Sequence, residues 1–314
     1  MILLCRNFDQ PNRPTGPTTH LPVMVDQVIQ ALNPQRGGVY VDATVGGGGH
    51  AEALLKAGPD DLRLIAIDRD TDALQRSRQR LAGYSDRVHY LHAPFSSLEQ
   101  CVPPELHGKV DGILADFGVS SDQLDEAERG FSFQQDGPLD MRMDSRKQKN
   151  SAAVLLAHAG EDQLEEWLRE YGEERYSRRI ANAIVKARRF GPLLRTLQLA
   201  DLVERTVPGG RRGLHPATRT FQAMRIAVNR ELDEIDAFLE MAPRLLAPKG
   251  RLAIISFHSL EDRRAKVCLR NEVRSGEFVD LLPRGVVADR AEQRRNPRAR
   301  SARLRAVQRA EAMK

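Results

Sequence analysis

The sequence is poor in cysteine and aromatic residues and has no long apolar run, and each shortage excludes a class of protein. Its 314 residues include 3 cysteines, 1 tryptophan and only 5% aromatic residues. The cysteines (Cys5, Cys101 and Cys268) are odd in number and far apart, which argues against a disulfide framework and a zinc site. No apolar run approaches the roughly 20 residues of a membrane-spanning helix. The opening MILLCRNFDQP has too short an apolar run for a signal peptide. We therefore expect a cytoplasmic protein with neither a metal site nor a membrane segment.

The chain contains enough apolar residues to form a core, and its charged residues are unevenly distributed along the sequence. Hydrophobic residues make up 41% of it and charged residues 29%, which is typical of a soluble globular protein of one or two domains. The net charge is +5, yet residues 284–314 hold ten Lys and Arg against three acidic residues. A basic segment at one end indicates a polyanionic partner, although a solvated tail explains the charge equally well.

Short apolar runs before turn signals predict a parallel sheet. The runs are VYVDAT, LRLIAID, VHYLHA, VDGILAD and RLAIISF, with weaker candidates in EFVDLL and ARLRAVQ. Helix-like segments separate the first runs, so the pattern predicts a doubly wound, mostly parallel α/β sheet of the Rossmann-like type.

Helical sequence interrupts this alternation between Asp116 and Arg251, where a crossover needs only about 30 residues. We therefore predict an all-helical domain at residues 124–214, inserted into a sheet domain formed by residues 1–123 and 215–314. One long helix is expected from Thr218 to about Leu246, leading back into the sheet.

Four consecutive glycines follow the first predicted strand, in VYVDATVGGGGH. The start of the next helix can present backbone N–H groups to a ligand. Gly46, Gly48 and Ala51 match the dinucleotide-binding pattern G-x-G-x-x-[GA]. This match alone is a weak signal, because an ordinary tight turn or an NAD(P) oxidoreductase explains it as well.

Two carboxylates favour S-adenosylmethionine (SAM) over NAD as the ligand of this loop. Asp42 precedes the glycines and, with Thr44, gives D-x-T-x-G-x-G, a variant of the SAM loop D-x-G-x-G-x-G. A carboxylate there would repel a pyrophosphate but attract the ammonium and sulfonium groups of SAM. Asp68 ends the second predicted strand, where a carboxylate can accept hydrogen bonds from ribose hydroxyls.

A further acidic segment, ILADFGVSSDQLDEAERGFSF, begins at the carboxyl end of the fourth predicted strand, where open α/β sheets bind ligands. Together with other blocks along the sequence, this segment resembles the small-subunit ribosomal RNA methyltransferase H family, also called MraW. The resemblance rests on THLPVM, YVDATVGGGGH, DGPLDMRMD, HPATRTFQAMRIAVNREL, GRLAIISFHSLEDR and NPRARSARLR in this order.

The resemblance implies a class I SAM-dependent methyltransferase with a helical insertion that recognises the substrate. It implies methylation of N4 of a cytidine in the decoding region of 16S rRNA, within the small ribosomal subunit. Carried over by motif, the cofactor contacts fall on Gly48, Gly49, His50, Asp68, Phe95, Asp116 and Gln123. The chain departs from the common family pattern at four positions, namely Asp26, Val45, Phe117 and Asp122.

Methyl transfer to an exocyclic amine needs hydrogen-bond acceptors that hold the N–H groups in line with the methyl–sulfur bond. Asp116 and carbonyl groups of residues 117–120 are expected to supply them, and we assign catalytic roles to Asp116, Ser120 and His258. His258 and Glu261 either contact the target base or begin a helix as a cap, and both interpretations stay open. Methylation at C5 would instead need a cysteine nucleophile, and neither Cys101 nor Cys268 lies in such a motif.

Two other hypotheses remain beside the methyltransferase. One is the NAD(P) oxidoreductase, and the other is a non-catalytic ribosome-assembly factor that binds RNA through its basic tail. Two basic groups are candidates for phosphate contact. The first is Arg142, Arg146, Lys147 and Lys149, which solvated charge explains as well, and the second is the C-terminal cluster of Arg294, Arg295, Arg298, Arg300, Arg303 and Arg305. The expected partner is 16S rRNA or the small subunit, and the oligomeric state is left open, a homodimer included.

Overall fold

The computed structural model describes residues 22–208 and 215–311, in two compact units. Residues 22–118 and 232–311 form a sheet unit, and residues 119–208 and 215–231 form a helical unit. The first division, after residue 118, lies a few residues before the predicted boundary at residue 124. The second, after residue 231, lies one helix beyond the predicted boundary at residue 214. Cys5 and the first residues of THLPVM lie outside the described part of the chain.

One sheet of eight strands forms the centre of the sheet unit. The strands are β1 (Val39–Asp42), β2 (Arg63–Asp68), β3 (Val88–His92), β4 (Val110–Asp116), β5 (Leu246–Ser256), β6 (Phe278–Asp280), β7 (Val286–Val287) and β8 (Arg303–Arg309). Their order is β3-β2-β1-β4-β5-β8-β6, and β7 pairs with β8. The first five strands are parallel to one another and β8 runs antiparallel to β5. The predicted fold class, a doubly wound and mostly parallel α/β sheet, is confirmed.

Thirteen α-helices accompany the sheet in the described residues. They are α1 (Val25–Leu32), α2 (Gly49–Ala57), α3 (Thr71–Arg80), α4 (Leu98–Cys101), α5 (Ser121–Asp125), α6 (Ala152–His158), α7 (Glu161–Glu170), α8 (Ser177–Ala187), α9 (Thr196–Thr206), α10 (Ala217–Asn229), α11 (Glu231–Leu245), α12 (Ser259–Ser275) and α13 (Arg290–Arg295). None of these helices has the length and apolar character needed to cross a membrane.

Each unit has its own apolar core. In the sheet unit, the central strands β1 and β4 are buried on both faces, which explains their nearly continuous apolar sequences. In the helical unit, the buried faces of the amphipathic helices converge on aromatic and aliphatic side chains such as Phe133, Leu164, Ile180 and Phe221. The core of the sheet unit therefore corresponds to the apolar strand runs of the sequence, and the core of the helical unit corresponds to its amphipathic helical pattern.

The prediction of one helix from Thr218 to Leu246 is wrong. Helix α10 ends at Asn229, because Arg230 adopts a left-handed conformation with φ 51°. The Asn229 side chain is buried and donates to the carbonyl groups of Arg225 and Met141, which fixes this helix end. The helical periodicity of the sequence continues across Arg230, so the pattern alone does not reveal the helix end there.

Candidate active site

The carboxyl ends of the parallel strands β1, β2 and β4 bring three predicted carboxylates to one edge of the sheet. Asp42 ends β1, Asp68 ends β2 and Asp116 ends β4. Because β1 lies between β2 and β4, these three residues line neighbouring positions on the ligand-binding edge of an open sheet. The glycine loop and α2 follow β1 at the same edge.

The glycine loop owes part of its composition to the protein itself. A Cβ on Gly49 would lie 2.8 Å from Cγ of Pro22, and one on Gly48 would lie 3.0 Å from Oγ of Ser77. Gly46 differs, because a Cβ there would meet only a carbonyl oxygen at 3.9 Å. Both Gly46 and Gly48 also have positive φ, at 51° and 80°. Internal packing thus explains Gly48 and Gly49, whereas open space for a ligand adjoins Gly46.

Asp68 ties this loop to the end of β2. Its Oδ2 accepts a hydrogen bond from the Gly46 N–H at 2.8 Å, and its Oδ1 accepts one from the Asp70 N–H at 2.8 Å. Burial raises the pKa of Asp68 to about 6, although the two backbone donors oppose that rise. Each carboxylate oxygen has a second lone pair, so a ribose hydroxyl can still donate to it.

Asp42 is a buried carboxyl group with an unsatisfied oxygen. Only 1% of the residue is exposed, its Oδ1 accepts from the Thr44 N–H at 3.2 Å, and its Oδ2 has no hydrogen-bond partner among the described residues. Burial raises the pKa of this group to about 7. A buried oxygen without a partner is costly, so Asp42 either holds a proton or faces a cationic ligand.

Asp116 is the second carboxyl group with an unsatisfied oxygen. Its Oδ1 is buried without a hydrogen-bond partner in the described part of the chain, and its Oδ2 lies 3.9 Å from Nδ1 of His50. Burial, followed by the negative charges of Asp42 and Glu261, raises the pKa of Asp116 well above 3.8. The site therefore concentrates acidic groups whose ionisation is coupled, and it would attract a positive charge.

His50 is oriented by one specific contact. Its Nε2 lies 2.8 Å from the Val23 carbonyl oxygen, and because a carbonyl can only accept, Nε2 carries the proton. Burial lowers the pKa of His50, so the ring is neutral and Nδ1 presents a lone pair on the side of Asp116. The predicted contact of His50 with the cofactor remains a prediction.

Phe95 belongs to a cluster of three rings in the sheet unit. Its ring centroid lies 5.7 Å from that of Phe117 and 5.7 Å from that of Phe238. Phe117 is one of the departures from the common family pattern, and here it supplies one of the three rings. Phe95 is half-buried, and its stacking on the adenine of the cofactor remains a prediction.

His258 and Glu261 form the start of α12. Glu261 is fully buried, and its Oε2 accepts hydrogen bonds from the backbone N–H groups of Phe257 at 2.7 Å and His258 at 3.3 Å. Its Oε1 lies 2.9 Å from Nε2 of His258. This geometry supports the helix-cap interpretation for Glu261, and the catalytic role of His258 remains a prediction.

Ser120 and Gln123 lie in the helical unit and begin α5. Ser120 Oγ accepts from the Gln123 N–H at 3.2 Å, and Gln123 Oε1 accepts from the Ser120 N–H at 3.0 Å. This reciprocal capping box explains both residue types structurally. The catalytic role of Ser120 and the cofactor contact of Gln123 remain predictions.

Thr44 is a residue of the site that was not predicted from the sequence. Its Oγ1 accepts a hydrogen bond from the Asp116 backbone N–H at 2.7 Å, which links the loop after β1 to the end of β4. The available signal was the threonine in D-x-T-x-G-x-G, at a position where the common SAM loop has glycine. A threonine in place of that glycine indicates that the hydroxyl group makes a specific contact.

The two described cysteines have the properties of packed thiols. Burial raises the pKa of Cys101, and burial together with Glu272 raises that of Cys268 to about 11. The Cys268 Sγ on α12 donates to the Leu239 carbonyl on α11 at 3.4 Å. Neither thiol is a ready nucleophile, because nucleophilic attack requires the thiolate.

The predicted phosphate contacts need two corrections. The Arg305 guanidinium is nearly buried and donates to both carboxylate oxygens of Asp262, at 2.7 and 3.0 Å, so it is not available to RNA. Arg142 likewise donates to both oxygens of Asp140 at 2.7 Å. Six other residues predicted to contact phosphate are exposed, namely Arg146, Lys147, Lys149, Arg294, Arg295 and Arg300.

The chain is similar to known proteins over nearly its whole length. The model of the MraW methylase family matches residues 17–310. The protein named Ribosomal RNA small subunit methyltransferase H from Cyanothece sp. is 49% identical over 295 residues, which cover 94% of this chain and 96% of that protein. The protein of the same name from Sorangium cellulosum is 49% identical over 301 residues, which cover 95% and 93%.

Proposed function

Because the chain belongs to the MraW methylase family, we propose that it transfers a methyl group from SAM to N4 of a cytidine in the decoding region of 16S rRNA. The names of its relatives support ribosomal RNA of the small subunit as the substrate. The cytidine and its N4 atom come from the family resemblance, and neither cysteine in the described part of the chain, Cys101 or Cys268, is a ready nucleophile for the C5 reaction.

One observation carries the choice of cofactor. Asp42 and Asp116 each have a buried carboxylate oxygen without a hydrogen-bond partner among the described residues, at the edge where open sheets bind ligands. Two such oxygens fit a ligand with positive charge, and SAM carries a sulfonium and an ammonium group. They oppose the pyrophosphate of NAD(P), so the oxidoreductase hypothesis is disfavoured.

Each residue at this edge is assigned to a different part of SAM. In this proposal Asp68 accepts hydrogen bonds from the ribose hydroxyls, Asp42 faces the methionine end, and Phe95 stacks on the adenine. The open space at Gly46 lets the ligand approach the backbone. When bound, SAM supplies the methyl group on its sulfonium.

Asp116 is the group we assign to the amine of the target base. The N4 lone pair of cytosine is delocalised into the ring, so the amine needs acceptors that hold its N–H groups in the reactive orientation. An ionised Asp116 accepts one N–H, and Thr44 holds the Asp116 backbone in position. Fixing two reactants in this manner contributes several kcal/mol, up to roughly 7–11 in ideal systems. After methyl transfer the amine proton passes to the Asp116 carboxylate, which already accepts its hydrogen bond, so no stronger base is required.

Transfer of labelled methyl groups to isolated small subunits tests the proposal. Small subunits that lack the modification are incubated with the protein and labelled SAM, and the modified nucleoside is identified after digestion. We expect N4-methylcytidine at one position in the decoding region. A label on C5, or a label in protein alone, would show that the proposed reaction is wrong. Absence of any transfer together with RNA binding would favour the non-catalytic assembly factor.

A further inference from the structure

Phe190 presents its side chain to solvent almost completely. It follows α8 and precedes α9 in the helical unit, and 93% of the residue is exposed. The other large hydrophobic residues exposed among the described residues are at most 55% exposed. An aromatic ring in water loses the favourable burial of a large apolar surface, so its exposure on an ordered segment requires an explanation.

The segment around Phe190 is fixed by specific hydrogen bonds on both sides. Before it, the Arg188 guanidinium donates to the carbonyl groups of Leu156 at 3.0 Å and Ala159 at 2.7 Å. After it, the Leu194 carbonyl accepts from the Leu139 N–H at 2.8 Å. The ring is therefore held out from the surface by an anchored loop, which is the pre-organisation that a binding residue needs.

Basic side chains lie along one side of α8, which ends shortly before Phe190. Arg178, Asn182 and Lys186 follow one another at i, i+4 and i+8, so they lie on one side of the helix, and Arg189 follows just beyond its end. Arg178, Lys186 and Arg189 are exposed and have no ion-pair partner among the described residues. Only Asn182 on this side meets an acidic group, since its amide donates to Glu161 at 3.0 Å. No Asp or Glu occurs from residue 175 to residue 200.

We propose that Arg178, Lys186, Arg189 and Phe190, here called the α8 face, bind a single-stranded segment of ribosomal RNA. The cationic side chains contact phosphate groups, and an unpaired base stacks on the Phe190 ring. Both features are typical of binding to single-stranded nucleic acid, in which a positive track follows the backbone and aromatic rings receive the bases. The inference rests on the proposed function, because it specifies how the rRNA substrate is held.

Binding measurements on the full chain test this inference. The probes are unmethylated small subunits and, separately, deproteinised 16S rRNA. Phe190→Ala should weaken binding to both probes about ten-fold or more, and Phe190→Trp should restore it, because stacking needs only a ring. Val267→Ala, which removes an exposed apolar side chain from α12, is the matched control and should have no effect.

The charges are tested in the same assay. Arg178→Gln combined with Lys186→Gln should reduce the dependence of log affinity on log salt by roughly 0.7 to 0.9 for each lost phosphate contact. Lys109→Gln combined with Arg270→Gln removes the same charge from exposed positions of the sheet unit and should leave the slope unchanged. SAM affinity, measured by calorimetry, should be unchanged in every variant.

Three results would overturn the inference while leaving the proposed function intact. The first is parental affinity and parental methylation KM in Phe190→Ala. The second is failure of Phe190→Trp to restore binding. The third is a loss seen with intact subunits but not with deproteinised rRNA, which would identify a ribosomal protein as the partner. If the parent protein does not methylate small subunits at all, the proposed function fails by itself, whatever the α8 face binds.

Discussion

Thr44 and Asp116 connect the two loops of the site, because the Thr44 hydroxyl accepts a hydrogen bond from the Asp116 backbone N–H at 2.7 Å. Thr44 lies in the loop that leads to the glycines, and Asp116 ends β4. The bond therefore fixes the backbone of the proposed amine acceptor relative to the proposed cofactor loop. Its loss would alter the reacting geometry more than it alters the affinity for SAM.

Replacing Thr44 by Val should lower kcat while the Kd for SAM changes little. Valine keeps the shape of the side chain but leaves the Asp116 N–H without its acceptor, and a misplacement of about 1 Å can cost about 100-fold in rate. Thr44→Ser keeps the hydroxyl and should retain most of the activity. Single-turnover rates and calorimetry separate the two effects. A proportional loss of SAM affinity in Thr44→Val would show that Thr44 acts on the cofactor instead.

The pH dependence of methyl transfer should depend on Asp42. Burial and the nearby acidic groups raise the pKa of Asp116 above 3.8, so the ionised, hydrogen-bond-accepting form gains population as the pH rises through that raised pKa. Asp42→Asn removes one neighbouring carboxylate, which makes ionisation of Asp116 easier. The acidic limb of kcat, measured at saturating SAM, should therefore move to lower pH. A limb that stays in place or moves to higher pH would contradict the coupling of the two groups.

Asp68→Ala should weaken SAM binding by roughly 1.5–3 kcal/mol, the value of a hydrogen bond to a charged group, and so by about ten-fold or more. The structure adds a second effect, because Asp68 also accepts from the Gly46 N–H. Asp68→Asn keeps one oxygen for that contact and serves as the comparison for loop disorder. Calorimetry with SAM measures both variants. An Asp68→Ala protein with parental affinity would remove the ribose assignment.

Cys101→Ser and Cys268→Ser should keep methyl transfer near the parental rate, whereas Asp116→Ala should lose most of it. Burial raises the pKa of both thiols, and transfer to an exocyclic amine passes through no enzyme–base adduct. Rates are compared on unmethylated small subunits. A stable adduct between either cysteine and a 5-fluorocytosine substrate would disprove the N4 reaction.

Local sequence was sufficient for much of the fold and for the positions of the acidic residues. Apolar runs bounded by turn residues predicted every strand except the two-residue β7, and the helical periodicity predicted the inserted helices. Asp42, Asp68 and Asp116 were placed at strand ends by the same pattern, so their common edge followed from the parallel topology.

Contacts between residues distant in sequence could not be predicted in this way. Pro22 and Ser77 explain Gly49 and Gly48, but nothing in the glycine run indicates either neighbour. Alternation in β8 indicated that Arg305 and Leu304 point to opposite sides, yet it does not reveal that Asp262 on α12 pairs with Arg305. Such pairings depend on which elements pack together, and a local pattern does not determine that.

The arginines of the C-terminal segment therefore include one that is buried in an ion pair and others that are exposed. Arg305 is nearly buried and forms two hydrogen bonds with Asp262, so Arg305→Gln should destabilise the fold by about 1.5–3 kcal/mol, measured by urea unfolding. Arg294, Arg295 and Arg300 are exposed on α13 and the turn that follows it.

Replacing the exposed arginines, in Arg294→Gln, Arg295→Gln and Arg300→Gln combined, should weaken binding to small subunits without changing the free energy of unfolding. The salt dependence of log affinity should fall by roughly 0.7 to 0.9 for each lost phosphate contact, because a lost contact no longer releases counterions from the RNA. SAM affinity should stay at the parental value, since none of these residues is among the proposed cofactor contacts. If the triple variant keeps both the affinity and the salt slope of the parent, this segment does not contact RNA. The rRNA must then be held by other basic residues of the chain.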